Sequence, residues 1–147
     1  MTLVEILVVL ALLGIMTGAV ALSVGGIGRD NSAVQEAELL VARLNRAADE
    51  VALTATPMRF RWSEDSYLFE VAQDQNAWAA HPIAILAEDH QLPAGLRFTG
   101  NATEVTVDSN LVPDPRALLL LQVTSNAGAV IDVAFDGINA TLLEDTR

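Results

Sequence analysis

Few side chains in this sequence could carry out acid–base or nucleophilic chemistry. His81 and His90 are its two histidines, and neither lies in a nucleophile motif such as Gly-x-Ser-x-Gly. A catalytic triad would need one of them beside a serine and an acid. We interpret His81, next to Pro82, as a strand-edge residue and His90 as an exposed loop residue. The sequence therefore predicts no catalytic residues and no enzymatic activity.

Metal binding has equally little support in the sequence. The best cluster is Glu88-Asp89-His90, and the chain has no cysteine for a thiolate site or a disulfide. Calcium loops usually space their oxygen ligands as Asp-x-Asp-x-Asp, and that run is absent. The acids near the C-terminus fall on a predicted hairpin without matching spacing: Asp132, Asp136, Glu144 and Asp145. We expect no metal site and no cofactor.

The charge of the chain excludes one class of partner. Asp and Glu number 19, Lys and Arg number 8, and the net charge is −11. All the basic residues are arginines. Such a surface repels the phosphate backbone, which dominates protein–nucleic acid affinity. We expect no binding to nucleic acid.

Glu5 stands out because it lies at the start of an apolar N-terminal segment. The run from Ile6 to Val24 carries no charge, and as a helix it would be long enough to cross the ~30 Å core of a bilayer. The sequence therefore predicts a membrane-spanning helix. A carboxylate near hydrocarbon usually has a partner or a task. It could be an interfacial group, or it could pair with a free α-amino group, either its own or that of an identical helix alongside.

The first residues, Met1-Thr2-Leu3-Val4-Glu5, resemble the mature N-terminus of the type IV pilin and pseudopilin superfamily. In that family a leader is removed, the new first residue is N-methylated, and phenylalanine usually stands where this chain has Met1. The resemblance implies processing and N-methylation at Met1. It also implies subunit assembly through Met1 and Glu5.

The remaining pattern divides the chain into two parts. Residues 1–28 comprise the predicted transmembrane helix and a Gly-rich junction, which we interpret as flexible or melted because three of the four residues Gly25–Gly28 are glycine. Residues 29–147 form the predicted head. It begins with an amphipathic helix over about 32–53, whose apolar side chains recur at steps of three and four. The predicted fold class is thus α+β, a long N-terminal helix with its first half in the membrane, packed on a pilin-like β-rich head.

Alternating patterns predict the strands of the head. Met58–Trp62 and Tyr67–Val71 form one predicted hairpin, and Glu104–Val107 is short and extended. The continuous apolar run from Ala117 to Thr124 predicts a central strand buried on both faces. Asp136-Gly137 predicts a two-residue type I′ turn between the last two strands.

Several head features resemble the H-type minor pseudopilin of type II secretion systems (the GspH/FimT family). They include the first hairpin, the loop containing Trp78, Leu92-Pro93-x-Gly95-Leu96 and the last hairpin. The resemblance implies a single-pass protein of the bacterial inner membrane with a periplasmic head, assembled near the tip of the periplasmic pseudopilus. Its implied partners are major and minor pseudopilins joined through the N-terminal helix, the inner-membrane assembly platform and secreted cargo.

Two other kinds of function remain open at this point. The first is a minor pilin of a type IV pilus, serving assembly, adhesion or motility. The second is a membrane-anchored enzyme or a cargo-binding module with a β-rich head.

Overall fold

The computed structural model describes residues 3–73, 77–109 and 118–143, and within the first helix the side chains of residues 4–6, 8 and 32 onward. Within these ranges, a long helix is followed by nine strands and one short helix. Their bounds are α1 Leu3–Thr54, β1 Met58–Trp62, β2 Ser66–Gln73, β3 Ala77–Ala80, α2 Ala84–Ala87, β4 His90–Gln91, β5 Leu96–Gly100, β6 Glu104–Val107, β7 Leu119–Ser125, β8 Val130–Phe135 and β9 Ala140–Leu143.

Helix α1 has 52 residues and is continuous through Gly25–Gly28, where the sequence predicts a flexible or melted junction. Each glycine weakens a helix by about 1 kcal/mol relative to alanine but does not forbid it, and extending an existing helix is easier than starting one. The predicted segment 32–53 lies within α1. Its buried positions are spaced three, four or one apart on a single face: Ala33, Ala37, Leu40, Leu44, Ala47, Ala48 and Val51.

The predicted membrane span is wrong. Within the part of the chain that the structure describes, no helix combines the length and the hydropathy that crossing a membrane requires. The described side chains of α1 include Glu5, and charged residues recur from Glu36 to Glu50. A crossing helix needs about 20 predominantly apolar residues. This finding overturns the predicted fold class, a long helix with a membrane-spanning first half on a pilin-like head. It equally overturns the predicted single-pass inner-membrane location with a periplasmic head.

The strands form two antiparallel sheets. Sheet A has the order β3-β2-β1-β6, with β4 paired to β2, and sheet B has the order β5-β7-β8-β9. The C-terminal half of α1 contacts β7, β8 and β9 of sheet B. Phe60, Tyr67 and Phe69 of sheet A join the same buried cluster as the apolar face of α1. One core thus connects the helix to both sheets.

Strand β7 corrects the prediction of a strand buried on both faces. Leu119, Leu121 and Val123 are buried, whereas Leu118 and Leu120 on the alternate positions are exposed. The continuous apolar run indicated two buried faces, because fully buried strands are apolar at every position. The structure instead leaves one face of sheet B open.

Two chain reversals depend on positive φ angles. Helix α1 ends at Thr54 because Ala55 takes φ 54° and its N–H donates to the Val51 carbonyl at 2.9 Å. The last hairpin turns at Gly137 and the following residue, with φ 93° at Gly137. Within that turn, glycine at the first central position is the only residue with positive φ, as a type II′ turn requires, so the predicted type I′ turn is wrong.

Candidate assembly surface

The N-terminal end of α1 exposes apolar side chains at alternate positions. Val4, Ile6 and Val8 are 69%, 50% and 52% exposed, and Glu5 between them is also exposed. Successive residues of a helix point about 100° apart, so these side chains cover more than one side of α1. Met1 lies outside the described residues. The predicted pairing of Met1 with Glu5 therefore remains a prediction.

The other end of α1 is fixed to the head by packing and by one paired amide. The side-chain Nδ2 of Asn45 donates to the Ala140 carbonyl at 3.1 Å, and its Oδ1 accepts from the Ala140 N–H at 2.7 Å. Ala140 begins β9, an edge strand of sheet B. The Asn45 side chain thus satisfies the N–H and the carbonyl of Ala140, which at a sheet edge would otherwise need another partner.

A buried polar contact joins α1 to sheet A. The Oε1 of Glu36 lies 2.6 Å from the Nε2 of His90, and Glu36 is only 5% exposed. The His90 ring also packs on the ring of Tyr67, with their centroids 4.8 Å apart. His90 is therefore half-buried and paired, and the prediction of an exposed loop residue is wrong. Its strand β4 has only two residues, too few for the alternation that would have revealed it.

Tyr67 lies beneath this contact and is fully buried. Burial raises the pKa of its hydroxyl well above the ordinary value, and the positive charge of Arg43 lowers that pKa in part. The Arg43 guanidinium carbon stands 5.5 Å from the centre of the Tyr67 ring, within cation–π distance. The tyrosine thus stays protonated at neutral pH and serves packing rather than proton transfer.

His81 is buried rather than placed on a strand edge. It is 3% exposed, directly after β3, and its Nδ1 accepts a hydrogen bond from the N–H of Ile83 at 3.0 Å. Burial lowers the pKa of His81, and the negative charge of Glu50 partly opposes that shift. A neutral His81 ring that accepts a hydrogen bond from the Ile83 N–H has a structural role, because it fixes the backbone just before α2.

The candidate metal and catalytic residues are not brought together. Glu88 and Asp89 are exposed, while His90 beside them turns to Glu36. The Oδ1 of Asp136 accepts from the N–H groups of Ile138 and Asn139, at 2.9 and 2.7 Å. Across the described residues, no three His, Asp or Glu side chains are grouped as a metal site would need. Glu144 and Asp145 lie outside the described residues.

Comparisons with protein-family models, with curated proteins and with solved structures found no match for this chain.

Proposed function

We propose that this protein is a structural subunit of a filament, specifically a minor pseudopilin of a type II secretion system. One observation carries the proposal. The N-terminal end of a 52-residue helix presents exposed Val4, Ile6 and Val8 around Glu5. Val4 and Val8 are four residues apart and share one side of the helix, and exposed apolar side chains grouped in this way are characteristic of interaction sites. The resemblance of the first five residues to pilins supports the N-terminal helix of a neighbouring subunit as the partner.

The dimensions of α1 support assembly through its N-terminal part. Among its described side chains the buried face begins at Ala33. The helical backbone from Leu3 to Ser32 extends about 44 Å at about 1.5 Å per residue. A joining surface at the first turn is thus remote along the helix from the surface that holds the head. A minor subunit can then share the joining helix with other subunits and still carry a different head.

Glu5 makes the proposed contact between neighbouring N-terminal helices specific. Packing the exposed apolar side chains at the start of α1 against a neighbouring helix would place the Glu5 carboxylate in a low-dielectric environment, where a charge without a partner is expensive. An α-amino group at the start of the neighbouring subunit's helix would offset that penalty. Because only a particular stagger of the two helices brings the groups level, the pair also sets the register, which an apolar residue at this position could not do.

Disulfide trapping tests the proposal directly, since the chain has no cysteine of its own. Val8→Cys introduces a unique thiol at an exposed position near the start of α1, and the major pseudopilin of the same system receives a cysteine at its fourth residue, which a stagger of four residues brings level with position 8. We expect oxidation of the assembled filament to give a crosslinked pair. Glu5→Ala should lower its yield at least tenfold, the equivalent of about 1.4 kcal/mol.

The matched control is Glu38→Ala, which removes an exposed acid of the same helix far from the first turn. It should crosslink as the parent does. Equal crosslinking of Glu5→Ala and the parent would refute the pairing role of Glu5. If the parent itself gives no crosslink while the major subunit crosslinks to its own copies, the filament proposal is wrong.

A further inference from the structure

The outer faces of the two sheets differ in their apolar content. On sheet A the outward side chains include paired charges: Arg59 contacts Glu70 at 2.7 Å, and Arg61 contacts the same carboxylate at 3.6 Å. On sheet B the corresponding face combines polar side chains, among them Arg97, Thr99, Gln122 and Asp132, with exposed apolar ones. Of the five large exposed hydrophobic residues that follow α1 in the described part of the chain, four lie there, 36–47% exposed: Leu118, Leu120, Val130 and Leu143.

A row of side chains crosses this open face of sheet B. Strand register places Thr99 opposite Gln122, Gln122 opposite Asp132, and Asp132 opposite Leu143. The hydroxyl of Thr99 donates to Gln122 Oε1 at 3.4 Å, and Gln122 Nε2 donates to Asp132 Oδ1 at 2.7 Å. The carboxylate of Asp132 is thus held in place from one side. No basic side chain in the described part of the chain forms an ion pair with it.

The row forms the floor of a groove of about 440 Å³, bordered by Leu120 and Leu143. At one end, the Asn101 side chain bonds to the Leu118 carbonyl and the Leu120 N–H, at 2.8 and 3.0 Å, which fixes the groove wall. Gly100 also lines the groove. A Cβ there would lie 2.8 Å from the Leu120 carbonyl oxygen and 2.8 Å from the Trp62 ring, so a side chain at this position would disturb the end of β5. The hydrogen bonds of Asn101 and the glycine at position 100 together keep β5 and β7 close at this end of the groove.

We propose that this groove binds an extended segment of another protein that carries a basic side chain next to an apolar one. The basic group would meet Asp132, and the apolar group would cover Leu120 and Leu143. Four strands at about 4.8 Å spacing make the row about 14 Å long, which an extended chain rising about 3.3 Å per residue spans with four or five residues. The site lies on the face of sheet B turned away from the core and does not use the first turn of α1.

The negative charge of the protein favours a basic segment, rather than a second copy of the chain, as the occupant of the groove. The protein carries −11 overall, and among the described residues that line the groove the charged one is Asp132. Two such surfaces placed face to face would bring like charges together, which disfavours association. A segment rich in arginine or lysine has the complementary charge, and its aliphatic anchors have the complementary surface.

The test uses the isotope-labelled full chain, kept in mild detergent to cover its exposed first turn, and three blocked hexapeptides. The first alternates leucine and arginine, the second has glutamate for arginine, and the third has serine for leucine. Backbone amide shifts measured by NMR should report binding of the first peptide around Thr99, Gly100 and Gln122. The glutamate and serine peptides should bind at least fivefold more weakly.

Substitutions then separate the two contacts. Asp132→Asn keeps an oxygen for Gln122 and should weaken the arginine peptide two- to fivefold, as expected for an exposed ion pair. Leu120→Ser should weaken it five- to tenfold through lost apolar contact. Glu104→Gln, an exposed acid on sheet A, is the matched control and should change nothing.

Three results would overturn the proposal. One is equal binding of the arginine and glutamate peptides. Another is a set of shifted amides that maps to sheet A or to α1. The third is concentration-dependent self-association that Leu120→Ser abolishes, which would make the face a contact between copies of this chain.

Discussion

Replacing Asn45 by alanine should destabilise the head, because this one amide fastens an edge strand to the helix. Asn45→Ala removes both hydrogen bonds to Ala140, made at 2.7 and 3.1 Å. Ala140 is 4% exposed, so water cannot readily replace the lost partners of its N–H and carbonyl. A buried polar group left without a partner costs about 1–3 kcal/mol. Alanine favours a helix over asparagine by about 0.6 kcal/mol. We therefore expect a net loss of about 2 kcal/mol.

Urea unfolding of the full chain, followed by tryptophan fluorescence, measures this loss. With a urea dependence of about 2 kcal/mol per molar, typical of a small protein, the midpoint should fall by about 1 M. Gln35→Ala is the control, since Gln35 is exposed on the same helix and should shift stability by no more than about 0.5 kcal/mol. If Asn45→Ala shifts the midpoint no more than Gln35→Ala does, the paired amide adds nothing, and core packing alone holds β9.

Two further predictions concern the end of α1 and the buried histidine. Ala55→Gly should raise the melting temperature by a few degrees, because Ala55 takes φ 54° and the left-handed conformation costs a residue with a Cβ about 1 kcal/mol. Ala52→Gly, at an exposed position inside the helix, should lower the melting temperature. If both variants melt at a lower temperature than the parent, the prediction for Ala55 is wrong. For His81, burial lowers the pKa in the folded state, so below pH 6.5 the unfolded chain binds a proton that the folded chain does not. The contribution of neutral His81 to folding stability is therefore complete above pH 6.5 and is lost as pH falls. The urea midpoint should drop more between pH 7.5 and 5 in the parent than in His81→Gln. Equal drops in the two proteins would refute this prediction.

Local patterns in the sequence predicted the elements that repeat a period over several residues. Strands β1 and β6 lie where the alternation predicts them, and most of the apolar stripe of residues 32–53 lies on the buried face of α1, although Val34 in that stripe is exposed. In each case the alternation or the three–four spacing arises from one buried face. The sequence did not predict the short elements α2 and β4, because with four and two residues each spans only about one repeat of its pattern.

Contacts between distant residues could not be read from the sequence. Asn45 and Ala140 are 95 residues apart, and Glu36 and His90 are 54 apart. Nothing near Asn45 distinguishes it from an exposed helix residue, and a glutamate such as Glu36 is rarely buried, so the sequence gives no sign of its contact with His90. The sequence also did not predict that the outer face of sheet B is exposed, for a related reason. A strand that is apolar on both faces is predicted to be buried on both faces. The pattern does not distinguish a face covered by a second layer of the protein from a face covered by a partner.

The pair of Glu36 and His90 also fixes how α1 is seated on the head. Four of the seven buried apolar positions of α1 are alanines, and a helix face of such similar small side chains could slide by one turn with little change in apolar contact. A slip of one turn, about 5.4 Å, would carry the Glu36 carboxylate away from the His90 ring. A buried carboxylate without a partner is strongly destabilising, by about 3–5 kcal/mol. The slip would also break the two hydrogen bonds between Asn45 and Ala140. The position of the head along the helix, and hence its distance from the start of α1, therefore depends on two polar contacts as well as on apolar packing.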